Sequence, residues 1–135
     1  CTLGEMARMI LGEKWIKGAS IDNLTVIPCK NYTHQTPYNL PVKPSPNLPN
    51  AKSIELYASL CLFEGTIISV GRGTYMPFQV YGHTSTGIGT FTFTPISIAG
   101  MSAQPPYKNQ TVYGIDLRQN SKPSGFTLSY LMHAY

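Results

Sequence analysis

Apolar residues return at Leu3, Met6, Met9 and Ile10, with Glu5, Arg8 and Glu13 elsewhere on the wheel, which predicts an amphipathic helix. Thr2-Leu3-Gly4-Glu5 has the spacing of a capping box, with Thr2 as N-cap, and the helix is expected to end near Gly12. Asp22-Asn23 then reads as a turn, and Leu24-Thr25-Val26-Ile27 as a short strand stopped by Pro28. Five prolines fall between Pro37 and Pro49, a run that stays extended and cannot be helical. Tyr38, Leu40, Val42 and Leu48 interrupt it with apolar side chains, which favours a loop docked on the protein over a free linker.

Further on, Asn50 is placed to cap a helix running through Ile54, Leu56, Tyr57 and Leu60. Phe78-Gln79-Val80-Tyr81 and Phe91-Thr92-Phe93-Thr94 read as strands, the second with plain period-2 alternation. A polar, glycine-containing loop, residues 83–89, separates them. Thr111-Val112-Tyr113-Gly114-Ile115-Asp116-Leu117-Arg118 is a further strand, in which Asp116 and Arg118 share a face and form an ion pair by default. This order predicts an α/β (or α+β) domain, a mixed sheet with flanking helices, spanning residues 1–135 as one unit. Both ends fall inside patterned segments, the second in Leu128-Ser129-Tyr130-Leu131-Met132-His133-Ala134-Tyr135, and so read as cut points in a longer protein.

Composition narrows the function. Hydrophobic residues make up 42% of the chain, enough for a core, yet no 18-residue apolar run is long enough for a membrane span. Charged residues are only 12%, about half the usual share, which suggests a surface partly covered by other protein. The net charge of +4 comes from few acids and scattered lysines, so nucleic acid is not an expected partner. Cys1, Cys29 and Cys61 have no metal-binding spacing, and His34, His83 and His133 do not complete a zinc set; no metal is expected. The cysteines read as free, buried thiols, with a Cys29–Cys61 disulfide as the alternative.

Six acids and three arginines leave few places for polar chemistry. Glu5 belongs to a cap, Glu13 to a helix end, Asp22 to a turn and Glu55 to an exposed helical position. That leaves Asp116 and Glu64. Glu64 follows Leu62-Phe63, apolar neighbours that would desolvate its carboxyl and raise its pKa. The plainer alternative is a structural carboxylate accepting N–H groups from the Gly65-Thr66 turn. Within eight residues comes Gly71-Arg72-Gly73-Thr74, where the glycines permit positive φ or close approach to a ligand. Arg72 offers five donors to an anionic or hydroxyl-rich group; a surface turn whose arginine pairs with a nearby acid is the alternative. Neither a nucleophile elbow nor a complete phosphate-binding motif is present.

Several segments together carry a resemblance: Thr2-Leu3-Gly4-Glu5-Met6-Ala7, Leu24-Thr25-Val26-Ile27-Pro28, Pro44-Ser45-Pro46-Asn47-Leu48-Pro49, Cys61-Leu62-Phe63-Glu64-Gly65-Thr66, Ser69-Val70-Gly71-Arg72-Gly73-Thr74, Pro77-Phe78, Phe93-Thr94-Pro95 and Tyr113-Gly114-Ile115-Asp116-Leu117-Arg118. In order and spacing the chain resembles the carboxy-terminal part of the bacterial exo-β-N-acetylmuramidase family, long known as a domain of unknown function. The resemblance implies a Rossmann-like amino-terminal domain, absent here, a carboxy-terminal α/β domain, and a cleft between them. It implies a glycosidase that releases N-acetylmuramic acid from non-reducing ends of peptidoglycan fragments without a cofactor, its catalytic glutamate lying in the absent part. By position, Glu64 would take a supporting catalytic role, and Arg72, Thr74, Gly71, Gly73 and Thr66 would bind substrate from this side of the cleft. Given that substrate, Arg72 suits the lactyl carboxylate of muramic acid, an assignment that rests on guanidinium chemistry.

Other implied partners are a muropeptide and the missing amino-terminal domain, in a periplasmic or extracellular protein. Alone, the fragment is expected to be inactive. The competing reading is a non-catalytic carbohydrate-binding or protein-interaction module whose Tyr32, Tyr38, Tyr75, Tyr81 and Tyr107 stack on sugars.

Overall fold

In the computed structural model, which describes residues 1–120 and 125–135, Thr2 opens helix α1 (Leu3–Gly12) as the spacing predicts. The Glu5 N–H donates to the Thr2 hydroxyl at 3.2 Å, and the Thr2 N–H donates to the Glu5 carboxylate at 2.6 Å. That returning backbone hydrogen bond holds the Glu5 carboxyl below the usual carboxylate range. A 3₁₀ turn, Ile21–Asn23, follows, capped by the Ser20 hydroxyl. The strand expected at residues 24–27 is not formed. Leu24 is extended after the 3₁₀ turn, but residues 24–27 have no ladder partner among the described residues, and Ile27 is 88% exposed. A strand exists only through its neighbour.

The chain forms two compact units, Cys1–Tyr38 and Asn39–Tyr135. The physical reason is visible in the burial pattern. No residue of the first unit is buried, and Leu3, Trp15, Ile16 and Ile21 are exposed. A segment below about 40 residues seldom supports a core of its own.

The second unit begins in the proline-rich loop, which docks only through its later half. Asn47 donates from its side-chain amide to the Met101 carbonyl at 2.9 Å, and Leu48 packs on the core, whereas Leu40 and Val42 are exposed. Asn50 caps helix α2 (Ala51–Leu60) by accepting the Ser53 N–H at 2.9 Å, as its position predicts. The core gathers Leu56, Leu60, Phe63, Val70, Phe78, Tyr81 and Leu117. Against it lies helix α3 (Ser129–Ala134), through Tyr130, Leu131 and Ala134. Tyr81 reaches His133 Nδ1 at 3.0 Å, and burial pushes its phenol up to about 12, so it stays neutral over the working range.

Three strands, β1 (Val80–His83), β2 (Phe91–Phe93) and β3 (Val112–Asp116), form a sheet in the order β1-β3-β2. Helices and sheet together fit the expected α/β class, but the mixed sheet is corrected: both pairings are antiparallel. β3 enters last and separates two strands that run the same way. β1 also starts two residues later than predicted, because Phe78 has φ 55°, a left-handed backbone that cannot lie in a strand.

Asp116 and Arg118 do pair, with Arg118 Nε at 2.9 Å from Oδ1 and Nη2 at 2.7 Å from Oδ2. The Arg118 side-chain hydrogen bonds hold the Asp116 carboxyl below its ordinary value. Its stabilising contribution is therefore present above the usual aspartate range and lost as pH falls through the lowered value. With Arg118 41% exposed, Asp116→Asn should cost under about 1 kcal/mol, an effect that urea midpoints resolve near neutral pH and that shrinks in acid.

All three cysteines are free thiols, but Cys1 and Cys29 are exposed and Cys61 only partly covered, so the expectation of buried thiols fails and no Cys29–Cys61 bond joins them. No helix among the described residues is long and apolar enough to cross a membrane.

Candidate functional site

Helix α2 runs directly into a 3₁₀ turn, Cys61–Gly65, and this change of pitch sets the direction of two adjacent side chains. Phe63 goes into the core, its ring stacked on Tyr81 with centroids 5.3 Å apart, and Glu64 goes outward. Thr66 closes the turn. Its N–H and its hydroxyl both donate to the Phe63 carbonyl, at 2.9 and 2.8 Å, and the hydroxyl accepts the Ile68 N–H.

The second half of the site is the Gly71-Arg72-Gly73-Thr74 turn. Gly71 and Gly73 have φ 77° and 81°. A Cβ on Gly71 would lie 2.6 Å from Val80 Cγ2, and one on Gly73 2.7 Å from the Ile96 carbonyl oxygen. At both glycines the close approach is that of the protein's own atoms, which only glycine admits at these positive φ values. Thr74 is buried too, its hydroxyl donating to the Gly71 carbonyl at 2.7 Å and accepting the Met76 N–H at 3.0 Å. These three residues form the frame behind the site, while Glu64, Thr66 and Arg72 stand at its surface.

Arg72 and Glu64 meet. Arg72 Nε donates to Glu64 Oε1 at 3.0 Å, and Nη2 donates to the same oxygen. The Phe78 ring lies 5.0 Å from the guanidinium carbon, a cation–π distance. Among the described residues Arg72 Nη1 and Glu64 Oε2 have no partner. The pair borders a notch of about 70 Å³ lined by Glu64, Thr66, Ile68, Val70, Arg72 and Pro106. Whole-ligand pockets run to roughly 300–1,000 Å³, so this one has room for a single functional group such as a carboxylate, not for a sugar ring. The loop beside it is pinned by Tyr107, whose hydroxyl donates to the Ile67 carbonyl and whose ring packs edge-on against His83.

Two expectations for Glu64 change. Leu62 is exposed and Phe63 turns away, so the apolar neighbours do not enclose the carboxylate, whose side chain is 34% exposed. Nor does it accept the turn's N–H groups, since the Thr66 N–H goes to Phe63. Glu64 is instead an ion-pair partner, the plain alternative for Arg72. Phe78, Ile68 and Pro106 were missed as site residues. Pro77-Phe78 was legible as a motif, but nothing local places that ring beneath a guanidinium.

A larger depression of about 420 Å³ in the first unit, lined by residues between Leu11 and Ile21, has Lys14 and Lys17 as its only charged groups and offers no acid. Among the described residues no three His, Cys, Asp or Glu side chains gather as a metal site would require.

Residues 55–135 match the family model described as exo-β-N-acetylmuramidase NamZ, C-terminal, and residues 1–52 match exo-β-N-acetylmuramidase NamZ, N-terminal. The chain belongs to the exo-β-N-acetylmuramidase NamZ family. It is 41% identical over 86 residues to the peptidoglycan β-N-acetylmuramidase NamZ of Bacillus subtilis, covering 60% of this chain and 20% of that protein. It also matches the crystal structure of a DUF1343 family protein from Bacteroides fragilis, at 52% identity and a TM-score of 0.86, over 96% of this chain and 38% of that one. The chain thus spans well under half the length of these two relatives. The resemblance placed all of residues 1–135 in the carboxy-terminal part, whereas the two NamZ models divide the chain between residues 52 and 55. Residues 39–52 follow the N-terminal model in sequence yet belong to the second unit, where Asn47 bonds Met101 and Asn50 caps α2.

Proposed function

We propose that this chain supplies one wall of the substrate cleft of a peptidoglycan glycosidase that releases N-acetylmuramic acid from non-reducing ends. The carrying observation is Arg72: a guanidinium already held on one edge, with Nη1 uncommitted, beside a notch the size of a carboxylate. Muramic acid differs from glucosamine by a lactyl carboxylate, and an arginine fork matches that group through two charge-assisted hydrogen bonds. The name of the Bacillus subtilis relative supports the same substrate class.

Glycoside hydrolysis needs two carboxyl groups flanking the scissile bond. Glu64 is held by Arg72, Asp116 by Arg118, Glu55 lies 4.0 Å from Lys52, Glu5 closes the α1 capping box, Glu13 stands at the C-cap of α1, and Asp22 accepts the Ser20 hydroxyl. In this reading the reacting carboxyls come from a Rossmann-like domain preceding the second unit, the isolated chain is inactive, and Thr66 and Arg72 contact substrate with Gly71, Gly73 and Thr74 as their support. The protein works on muropeptides in the periplasm or outside the cell.

The test is the full-length protein on a chromogenic β-N-acetylmuramide and on the matching β-N-acetylglucosaminide. Arg72→Ala should raise KM for the muramide roughly 10- to 150-fold, the equivalent of about 1.5–3 kcal/mol for a lost charged hydrogen bond, with kcat little changed. Any residual glucosaminide turnover should not respond. Undiminished muramide affinity in the variant would overturn the contact. Turnover by the isolated chain would overturn the upstream placement of the acid, and an inactive full-length protein that still binds muropeptides would favour the binding-module reading.

A further inference from the structure

Resting on the reading that Arg72 takes the lactyl carboxylate, we propose that Glu64 and Phe78 are positioning residues that hold the Arg72 guanidinium in its receiving orientation, and that Glu64 is not a proton donor. Three observations carry this. First, Glu64 spends one oxygen on two donors of the same guanidinium edge, Nε and Nη2. Occupying that edge stops rotation of the guanidinium and leaves the other fork, Nη1 with the second Nη2 hydrogen, for a ligand.

Second, the flat face is supported as well. The Phe78 ring sits 5.0 Å from Arg72 Cζ and is itself fixed, fully buried, edge-on to Tyr57 at 4.9 Å, with its N–H on the Val70 carbonyl at 2.8 Å. Its backbone is left-handed, φ 55°, a conformation that a bulky side chain adopts only when its surroundings over-determine it. That strain puts the ring beneath the guanidinium instead of in the strand that starts two residues later.

Third, Glu64 lacks what a proton donor needs. It is not enclosed by apolar groups, and no second carboxylate is paired with it among the described residues. A free arginine loses much side-chain freedom on binding a carboxylate, and one already held on an edge and a face loses less. The ligand carboxylate would take the neighbouring edge, on hydrogens that Glu64 does not use, so both anions share the guanidinium charge.

The test uses the full-length protein with Glu64→Gln, Glu64→Ala and Phe78→Leu, each alone and with Arg72→Ala, on the muramide substrate. Glutamine keeps an acceptor for Nε and Nη2 without the charge; alanine releases the guanidinium. Glu64→Ala should raise KM about 10-fold with kcat within about 3-fold, and Glu64→Gln should recover most of that loss. Phe78→Leu should raise KM about 3- to 5-fold, the scale of one cation–π contact. In the Arg72→Ala background Glu64→Ala should add nothing, as coupling through one residue requires. A kcat loss of about 100-fold or more in Glu64→Gln would overturn the proposal in favour of acid catalysis. So would a Glu64→Ala penalty that persists without Arg72. If Arg72→Ala alone leaves KM unchanged, the parent reading fails; if Arg72→Ala raises KM while Glu64→Ala does not, only the positioning role fails. Far-ultraviolet dichroism on each variant separates misfolding from either result.

Discussion

Replacing Gly114 with alanine should strongly destabilise the second unit. Gly114 lies in the central strand β3, opposite Gly82 on one side and Phe91 on the other. A Cβ there would overlap the Tyr81 carbonyl oxygen and lie 2.7 Å from the Gly82 Cα. Both are backbone atoms, so no rotamer change relieves the clash; the strands must separate and their ladder hydrogen bonds must break. Overpacking of this kind costs at least about 3 kcal/mol, against a total stability of roughly 5–15 kcal/mol for a domain. The measurement is a urea or thermal melt beside wild type, with Gly87→Ala as a control, since a Cβ at Gly87 meets nothing within 4 Å. Equal melts for Gly114→Ala and wild type would show that the two strands do not approach as closely as described.

Phe63→Ala should have the next largest effect and should reach the site. Phe63 is fully buried and stacked on Tyr81, so its loss leaves a cavity at the point where α2 passes into the 3₁₀ turn. Truncating a buried phenylalanine costs about 3–5 kcal/mol. The same ring anchors the backbone that turns Glu64 outward. In the full-length protein a variant that still folds should therefore bind the muramide more weakly, in the direction expected for Glu64→Ala. A melt lowered by the full amount with unchanged KM would show that the turn holds its shape without its anchor.

Much of the second unit was legible in the chain because its signals are local. The Asn50 cap and the alternation through Phe91 and Phe93 need only residues a few positions apart, and the Asp116–Arg118 pair spans two. The Glu64 and Arg72 turns were legible as turns, but the directions of their side chains were not. Leu62-Phe63 beside Glu64 suggested desolvation, but whether an apolar neighbour covers a carboxylate depends on which way each side chain turns, and the 3₁₀ pitch sent Phe63 inward and Glu64 out. The glycines of Gly71-Arg72-Gly73 were correctly read as places needing positive φ or close approach. In the fold the atoms that approach them include those of Val80 and Ile96.

The sequence by itself determined the helix starts at Thr2 and Asn50, the three strand segments of the second unit and membership of the exo-β-N-acetylmuramidase NamZ family, because capping, alternation and motif order are all written in contiguous residues. Only the tertiary structure decided that residues 24–27 have no ladder partner among those described, that β3 makes the sheet antiparallel, and that Phe78 lies under Arg72 while Glu64 takes one of its edges. Such contacts join separate turns and strands and form only once the sheet and core have closed; their energy depends on distance and orientation, which spacing along the chain does not record.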